Sequence, residues 1–224
     1  DNGAVYCWGS DFYGALGTGL GSSSTPSQVT GLPEGRTAVE IDSGDFYSCV
    51  TLDDGSLYCW GRNAQGQLGD GTTTDSSTPV EVSLPTNRSA LSVTAGSQHT
   101  CAILSSSVAN DSALYCWGYN AYGQLGDGTT TDSSTPVEAS SLSSGGSWQA
   151  TSVSVGSYHT CAIMDENSLN CWGWSTWGAL GIGASSSSTP SEVFSGLANF
   201  LSSDTSGTCA IEGEEISCWG RNNY

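Results

Sequence analysis

The stretch YCWGRNAQGQLGDGT, Tyr58–Thr72, returns as YCWGYNAYGQLGDGT at Tyr115–Thr129. Between the two copies Arg62 becomes Tyr119 and Gln65 becomes Tyr122, while every other residue is kept. Outward from this pair, Cys-Trp-Gly starts at Cys7, Cys59, Cys116, Cys171 and Cys218. The chain is therefore a tandem repeat with a period of about 50 residues, and its fold is the fold of one unit multiplied.

One unit can be read directly. Around Cys49 the run SCVTL, the turn Asp53-Asp54-Gly55 and the run SLYCW spell a hairpin, because Asp-Gly supplies the turn conformation that tight strand reversal needs. Folding about Asp54 sets Cys49 opposite Cys59, and folding about Glu166 sets Cys161 opposite Cys171. Cys101 with Cys116 and Cys209 with Cys218 follow the same plan. Four disulfides within hairpins are predicted: Cys49–Cys59, Cys101–Cys116, Cys161–Cys171 and Cys209–Cys218. Segments of the type Pro79–Val82 and Ser92–Gly96 supply two further strands, giving four-stranded antiparallel units. A single unit cannot bury both faces, so the reading is an all-β propeller, with about four blades plus partial ones across 1–224 as one domain. The Trp of each Cys-Trp-Gly is the expected inter-blade filler. The repeated Leu-Gly, as at Leu68-Gly69, would let backbone pass close to it.

Composition narrows the setting. Lys+Arg number 4 against 22 Asp+Glu, a formal charge of -18, which disfavours phosphate backbones and anionic lipid. No apolar run is long enough to span a bilayer, so membrane insertion is not expected. Nine cysteines with local pairing imply an oxidising compartment, and the expected location is extracellular or cell-surface. Cys7 is the odd one. It would lie on the second strand of a hairpin whose first strand precedes Asp1, so it either pairs about ten residues upstream or bridges a second copy. Both ends fall at the same point of the unit, so the segment reads as an excerpt cut within a blade.

The pattern Y-C-W-G-x-N-x-x-G-Q-L-G-D-G-T, with G-x-x-H-T-C-A-I upstream, resembles the regulator of chromosome condensation repeat. The resemblance implies a β-propeller, most often seven-bladed. The paired cysteines and the acidity set the chain closer to the family's secreted bacterial members, one of which inhibits β-lactamases, than to its chromatin-binding ones.

A search for chemistry returns little. His99 and His159 share one repeat position, so they cannot converge on a substrate atom, and both read as structural. No nucleophile elbow, zinc motif or phosphate loop is present, and no catalytic residue is assigned. A hydrolase with its catalytic parts outside the segment is the least favoured reading. No metal or cofactor is expected; the D-G-T-T-T-D element (Asp70–Asp75, Asp127–Asp132) is the one candidate for calcium, but it lacks helix-loop-helix spacing, and Thr18 and Ile182 replace its first Asp elsewhere. Asn87-Arg88-Ser89 and Asn110-Asp111-Ser112 match the glycosylation sequon.

What varies on the fixed framework is more informative. After each Cys-Trp-Gly, Ser10 and Tyr13, Arg62 and Gln65, Tyr119 and Tyr122, Trp174 and Trp177 differ freely, and Arg221 begins a fifth set. Variable aromatic and Arg positions on a constant scaffold are how repeat proteins build binding faces. The predicted function is a recognition module taking a protein or glycan partner on one propeller face. The alternative is a structural component of a surface assembly.

Overall fold

The computed structural model describes residues 3–108, 111–140, 149–175, 177–183, 186–196 and 198–221. They form seventeen strands in five antiparallel sheets, with one three-residue 3-10 turn at Phe12–Gly14. The first sheet pairs β1 (Tyr6–Gly9) with β2 (Ser23–Gln28). Three complete blades follow, each a meander in chain order. They comprise β3 (Ala38–Gly44), β4 (Tyr47–Leu52), β5 (Leu57–Gly61) and β6 (Ser76–Glu81); then β7 (Arg88–Ala95), β8 (His99–Ser106), β9 (Ser112–Gly118) and β10 (Ser133–Glu138). The third holds β11 (Ala150–Val155), β12 (His159–Met164), β13 (Leu169–Trp174) and β14 (Ser186–Phe194). The last sheet has β15 (Ala198–Ser203), β16 (Gly207–Glu212) and β17 (Glu215–Gly220). The propeller expected from the repeat is therefore present, with three full blades between two partial ones. The Ser92–Gly96 type of segment opens its blade, ahead of the hairpin.

Hairpin register follows the turn residues. Gly55, at φ 79°, closes the turn by donating its N–H to the Leu52 carbonyl, and Cys49 faces Cys59. Asn167, at φ 56°, does the same work for Met164, and Cys161 faces Cys171. All four predicted bridges form, each with Cα atoms 4.1 Å apart. Cys101–Cys116 spans 15 residues rather than 10, yet keeps the register because the extra residues lengthen the strands and turn beyond it. Cys7 carries no bridge among the described residues, and burial pushes its thiol pKa up.

Successive sheets meet along β3, β7, β11 and β15, which are therefore the innermost strands. Val93 N–H donates to Glu40 Oε2 (2.9 Å), Ala95 N–H to Asp42 Oδ2 (2.8 Å) and Ser203 N–H to Ser154 Oγ (2.8 Å). A bulge recurs in all four, after Ala38, Ala90, Ala150 and Ala198. One extra residue there bends each inner strand the same way, as repeated packing about one axis requires.

Between blades the sequence reading of Trp and Leu-Gly holds in detail. Trp60, Trp117 and Trp172 are fully buried. A Cβ built on Gly17, Gly69 or Gly126 would lie 2.6 Å from the indole nitrogen of the next blade's Trp. Those indoles donate to Ala15 O (3.0 Å), Gln67 O (2.9 Å) and Gln124 O (3.0 Å), and Trp219 donates to Ala179 O (2.9 Å). The same carbonyls accept a second donor from the next blade: Thr100 Oγ1 at Gln67, Thr160 Oγ1 at Gln124 and Thr208 Oγ1 at Ala179. Since Thr160 and Thr208 spend their protons there, the Nε2–H of His99 and of His159 must donate to them, both at 2.9 Å. Both histidines are buried staples between blades, as their repeat position suggested, and neither reaches solvent.

Candidate functional site

Each complete blade carries three non-framework positions at one end, and each partial blade two among the described residues. The lead residue follows Cys-Trp-Gly: Ser10, Arg62, Tyr119, Trp174 and Arg221. The turn residue comes three later: Tyr13, Gln65, Tyr122 and Trp177. The entry residue precedes the first hairpin strand: Phe46, Gln98, Tyr158 and Ser206. Lead and entry residues are tied in every blade by one hydrogen bond, from the N–H of Arg62, Tyr119, Trp174 and Arg221 to the carbonyl of Phe46, Gln98, Tyr158 and Ser206. The hairpin turns lie at the far end of those strands, so all three positions share the other end of the propeller.

The lead loop is held rigidly from within. Asn63 is buried; its Oδ1 accepts the Leu68 N–H (3.0 Å) and its Nδ2 faces Asp70 Oδ1, Thr72 O, Thr72 Oγ1 and Thr74 O at 3.1–3.3 Å. Asp75 Oδ1 accepts the Asn63 N–H (2.6 Å), and Asn120 repeats the whole arrangement. The oxygens of the D-G-T-T-T-D element thus converge on an amide nitrogen. Loop architecture accounts for their placement.

One residue decides how the turn residue is presented. Where the loop has Gln67 or Gln124, the side-chain Oε1 accepts the N–H of Gln65 or Tyr122 (both 3.0 Å). Where Ala15 or Ala179 stands instead, that acceptor is missing and the turn residue adopts left-handed backbone: Tyr13 at φ 62° and Trp177 at φ 82°. Tyr13 and Trp177 are then 51% and 59% exposed, whereas Tyr122 is partly buried. A bulky residue held at positive φ costs on the order of 1–2 kcal/mol.

The turn residue of one blade meets the lead and entry residues of the next. Tyr13 lies against Phe46 (5.6 Å between centroids) with the Arg62 guanidinium 5.6 Å over its ring. Tyr122 stacks on Trp174 (5.1 Å, interplanar 19°), with Tyr158 edge-on to both and Tyr119 against Tyr122 and Tyr158. Trp177 carries Arg221 at 5.4 Å. Of the predicted positions, Tyr119, Tyr122 and Trp174 come together, Tyr13 joins Arg62, and Trp177 joins Arg221. Gln65 is partly buried, with its backbone tied to Gln67. The predicted binding positions thus gather into clusters at three of the four blade junctions. Phe46 and Tyr158 were missed by scanning only downstream of Cys-Trp-Gly; comparing the repeats just ahead of Tyr47, His99, His159 and Gly207 would have found them. Burial, and then the charges of Tyr122 and Asp132, hold the Tyr119 phenol above its usual range.

Among the described residues no helix is long and apolar enough to cross a membrane, and no group of three or more His, Cys, Asp or Glu is placed to hold a metal. The fold matches the yeast RCC1 (Prp20) structure bound to Kap60 with a TM-score of 0.81, at 17% identity over 98% of this chain and 52% of that one. Human WBSCR16 matches with 0.82, at 20% identity over 96% and 56%. In sequence the chain is 33% identical to the ultraviolet-B receptor UVR8 of Arabidopsis thaliana over 98% of its own length and 49% of the plant protein. It is 27% identical to human E3 ubiquitin-protein ligase HERC2 over 99% of its length and 5% of HERC2. The chain thus spans about half of UVR8 and a small part of HERC2. The regulator of chromosome condensation (RCC1) repeat model matches residues 2–51, 54–103 and 111–163, and a second model of that repeat matches 38–67, 91–124 and 150–178. With the blade, the junction and the loop all repeating on that pattern, the chain belongs to the RCC1 repeat family of β-propellers.

Proposed function

We propose that the chain is a non-catalytic recognition module of an extracellular or cell-surface protein, holding a protein or glycan partner on the end that bears its lead, turn and entry residues. The observation that carries this reading is Trp177, a large aromatic held in left-handed backbone with 59% of its surface open. Strain and exposure together at one residue are the signature of a side chain kept for contact rather than packing. Tyr13 repeats the arrangement three blades away on the same end. The four disulfides support an oxidising location. The charge of -18 favours a basic or neutral partner over nucleic acid.

The test compares wild type with a Tyr13→Ala, Trp174→Ala, Trp177→Ala triple variant, each immobilised and exposed to the extracellular fraction of the source. A partner retained by wild type and by Asp54→Ala, at the opposite end, but lost from the triple variant is the expected result. Equal retention by all three proteins would place recognition elsewhere.

A further inference from the structure

The chain has four cationic side chains, all arginines, and each is engaged. Arg36 pairs with Asp54 at 2.9 Å, and Arg88 pairs with Asp111 beneath Tyr115. Arg62 and Arg221 are lead residues, and each lies over the turn residue of the preceding blade, Tyr13 and Trp177. At those two junctions the propeller closes an aromatic face with its own guanidinium.

The junction of Tyr122, Tyr158 and Trp174 breaks that rule. Its lead position holds Trp174 instead of Arg, and Tyr119 joins the group, so four partly exposed rings gather with no cation from the chain. The charge beside it is negative. Asp132 acts on Tyr119. Aromatic faces attract cations, and a nearby carboxylate in a chain of charge -18 adds to that field.

We infer that this junction is a cation-recognition site that takes an arginine side chain of a partner protein, in the role Arg62 and Arg221 play within the chain. The inference rests on the recognition reading above and names the group that the face selects. Arginine fits better than lysine because its planar, weakly hydrated guanidinium stacks on rings. A sugar fits less well, because most ring pairs here stand edge to face and offer no broad platform.

The test uses acetyl-Gly-Arg-Gly-Arg-Gly-amide at near-physiological salt, with its Lys, Glu and Ser counterparts and a chito-oligosaccharide alongside. Ring-proton NMR shifts of Tyr119, Tyr122, Tyr158 and Trp174 are followed. The Arg peptide should shift these rings, bind at least threefold tighter than the Lys peptide, and leave the Glu and Ser peptides and the sugar without effect. Tyr122→Leu should weaken Arg-peptide binding tenfold or more. Trp174→Arg, which restores the arrangement of the Arg62 and Arg221 junctions, should abolish it by filling the site from within while leaving the thermal midpoint close to wild type. Equal response to Arg and Ser peptides, or unchanged binding in both variants, would overturn the inference. A shift by the sugar alone would also overturn it, and would leave the wider recognition reading standing.

Discussion

At the scale of single residues, the junction is held by groups that tolerate little change. Gly126 sits at φ 75°, and a Cβ there would collide with the Trp172 indole. Gly126→Ala therefore combines left-handed strain with overpacking, and a loss of about 2–5 kcal/mol is expected in urea unfolding. Trp172→Ala should cost a similar 3–5 kcal/mol or so by opening a cavity, while Trp177→Ala should leave the midpoint nearly unchanged. The buried histidines predict a pH effect. Burial, reinforced by His159, lowers the His99 pKa to about 3, and burial lowers that of His159 to about 4, with Asp204 opposing. In the unfolded chain both protonate near 6.5. Between those values the unfolded state binds more protons, so stability falls as pH drops below 6.5 and continues to fall until the folded pKa values are reached. Against a His99→Gln, His159→Gln variant, whose amides can still donate to Thr160 and Thr208, wild type should show an extra slope approaching about 1.4 kcal/mol per pH unit for each histidine. Parallel pH profiles for the two proteins would remove the histidines as the cause.

At the scale of elements, the hairpin and the lead loop differ in how far the sequence exposed them. The hairpins were legible because Asp53-Asp54-Gly55 marks a turn and the cysteines mirror about it; register then leaves one arrangement. The bend of β3, β7, β11 and β15 was not legible, since the bulge residues Val39, Leu91, Thr151 and Asn199 share no chemistry. Nor was the lead-loop switch, because Gln67 and Ala179 differ by one hydrogen bond that acts on a residue two positions back. Ala179→Gln should supply the missing acceptor, return Trp177 to negative φ and separate it from Arg221. The readouts are a changed backbone shift at Trp177 and a gain in stability of up to about 1 kcal/mol. A crystal structure with Trp177 still left-handed would sink that account. Removing the third blade's bridge, by Cys161→Ser with Cys171→Ser, should cost about 2–3 kcal/mol, in keeping with its short loop.

At the scale of the whole molecule, charge and repetition set the behaviour. With 22 acidic against 4 basic side chains, self-repulsion opposes the compact state, so the thermal midpoint should rise as salt is raised from about 10 to 200 mM. A midpoint that falls over this range would mean that its few ion pairs outweigh the repulsion. The propeller itself was evident from the period of Cys-Trp-Gly, because each unit needs a neighbour to cover its Trp. The clustering of the end-face rings was not, since it depends on contacts across blades that repeat spacing alone does not specify. The carbonyls of Gln67, Gln124 and Ala179 each accept an indole and a hydroxyl from the next blade. Every such seam is made of interchangeable parts. Unequal recombination between the near-identical stretches Tyr58–Thr72 and Tyr115–Thr129 would add or delete one blade and leave a seam of the same chemistry behind. Copy number can therefore drift in a lineage without folding being reinvented, while the residues on the loop-bearing end are free to diverge from one duplicate to the next.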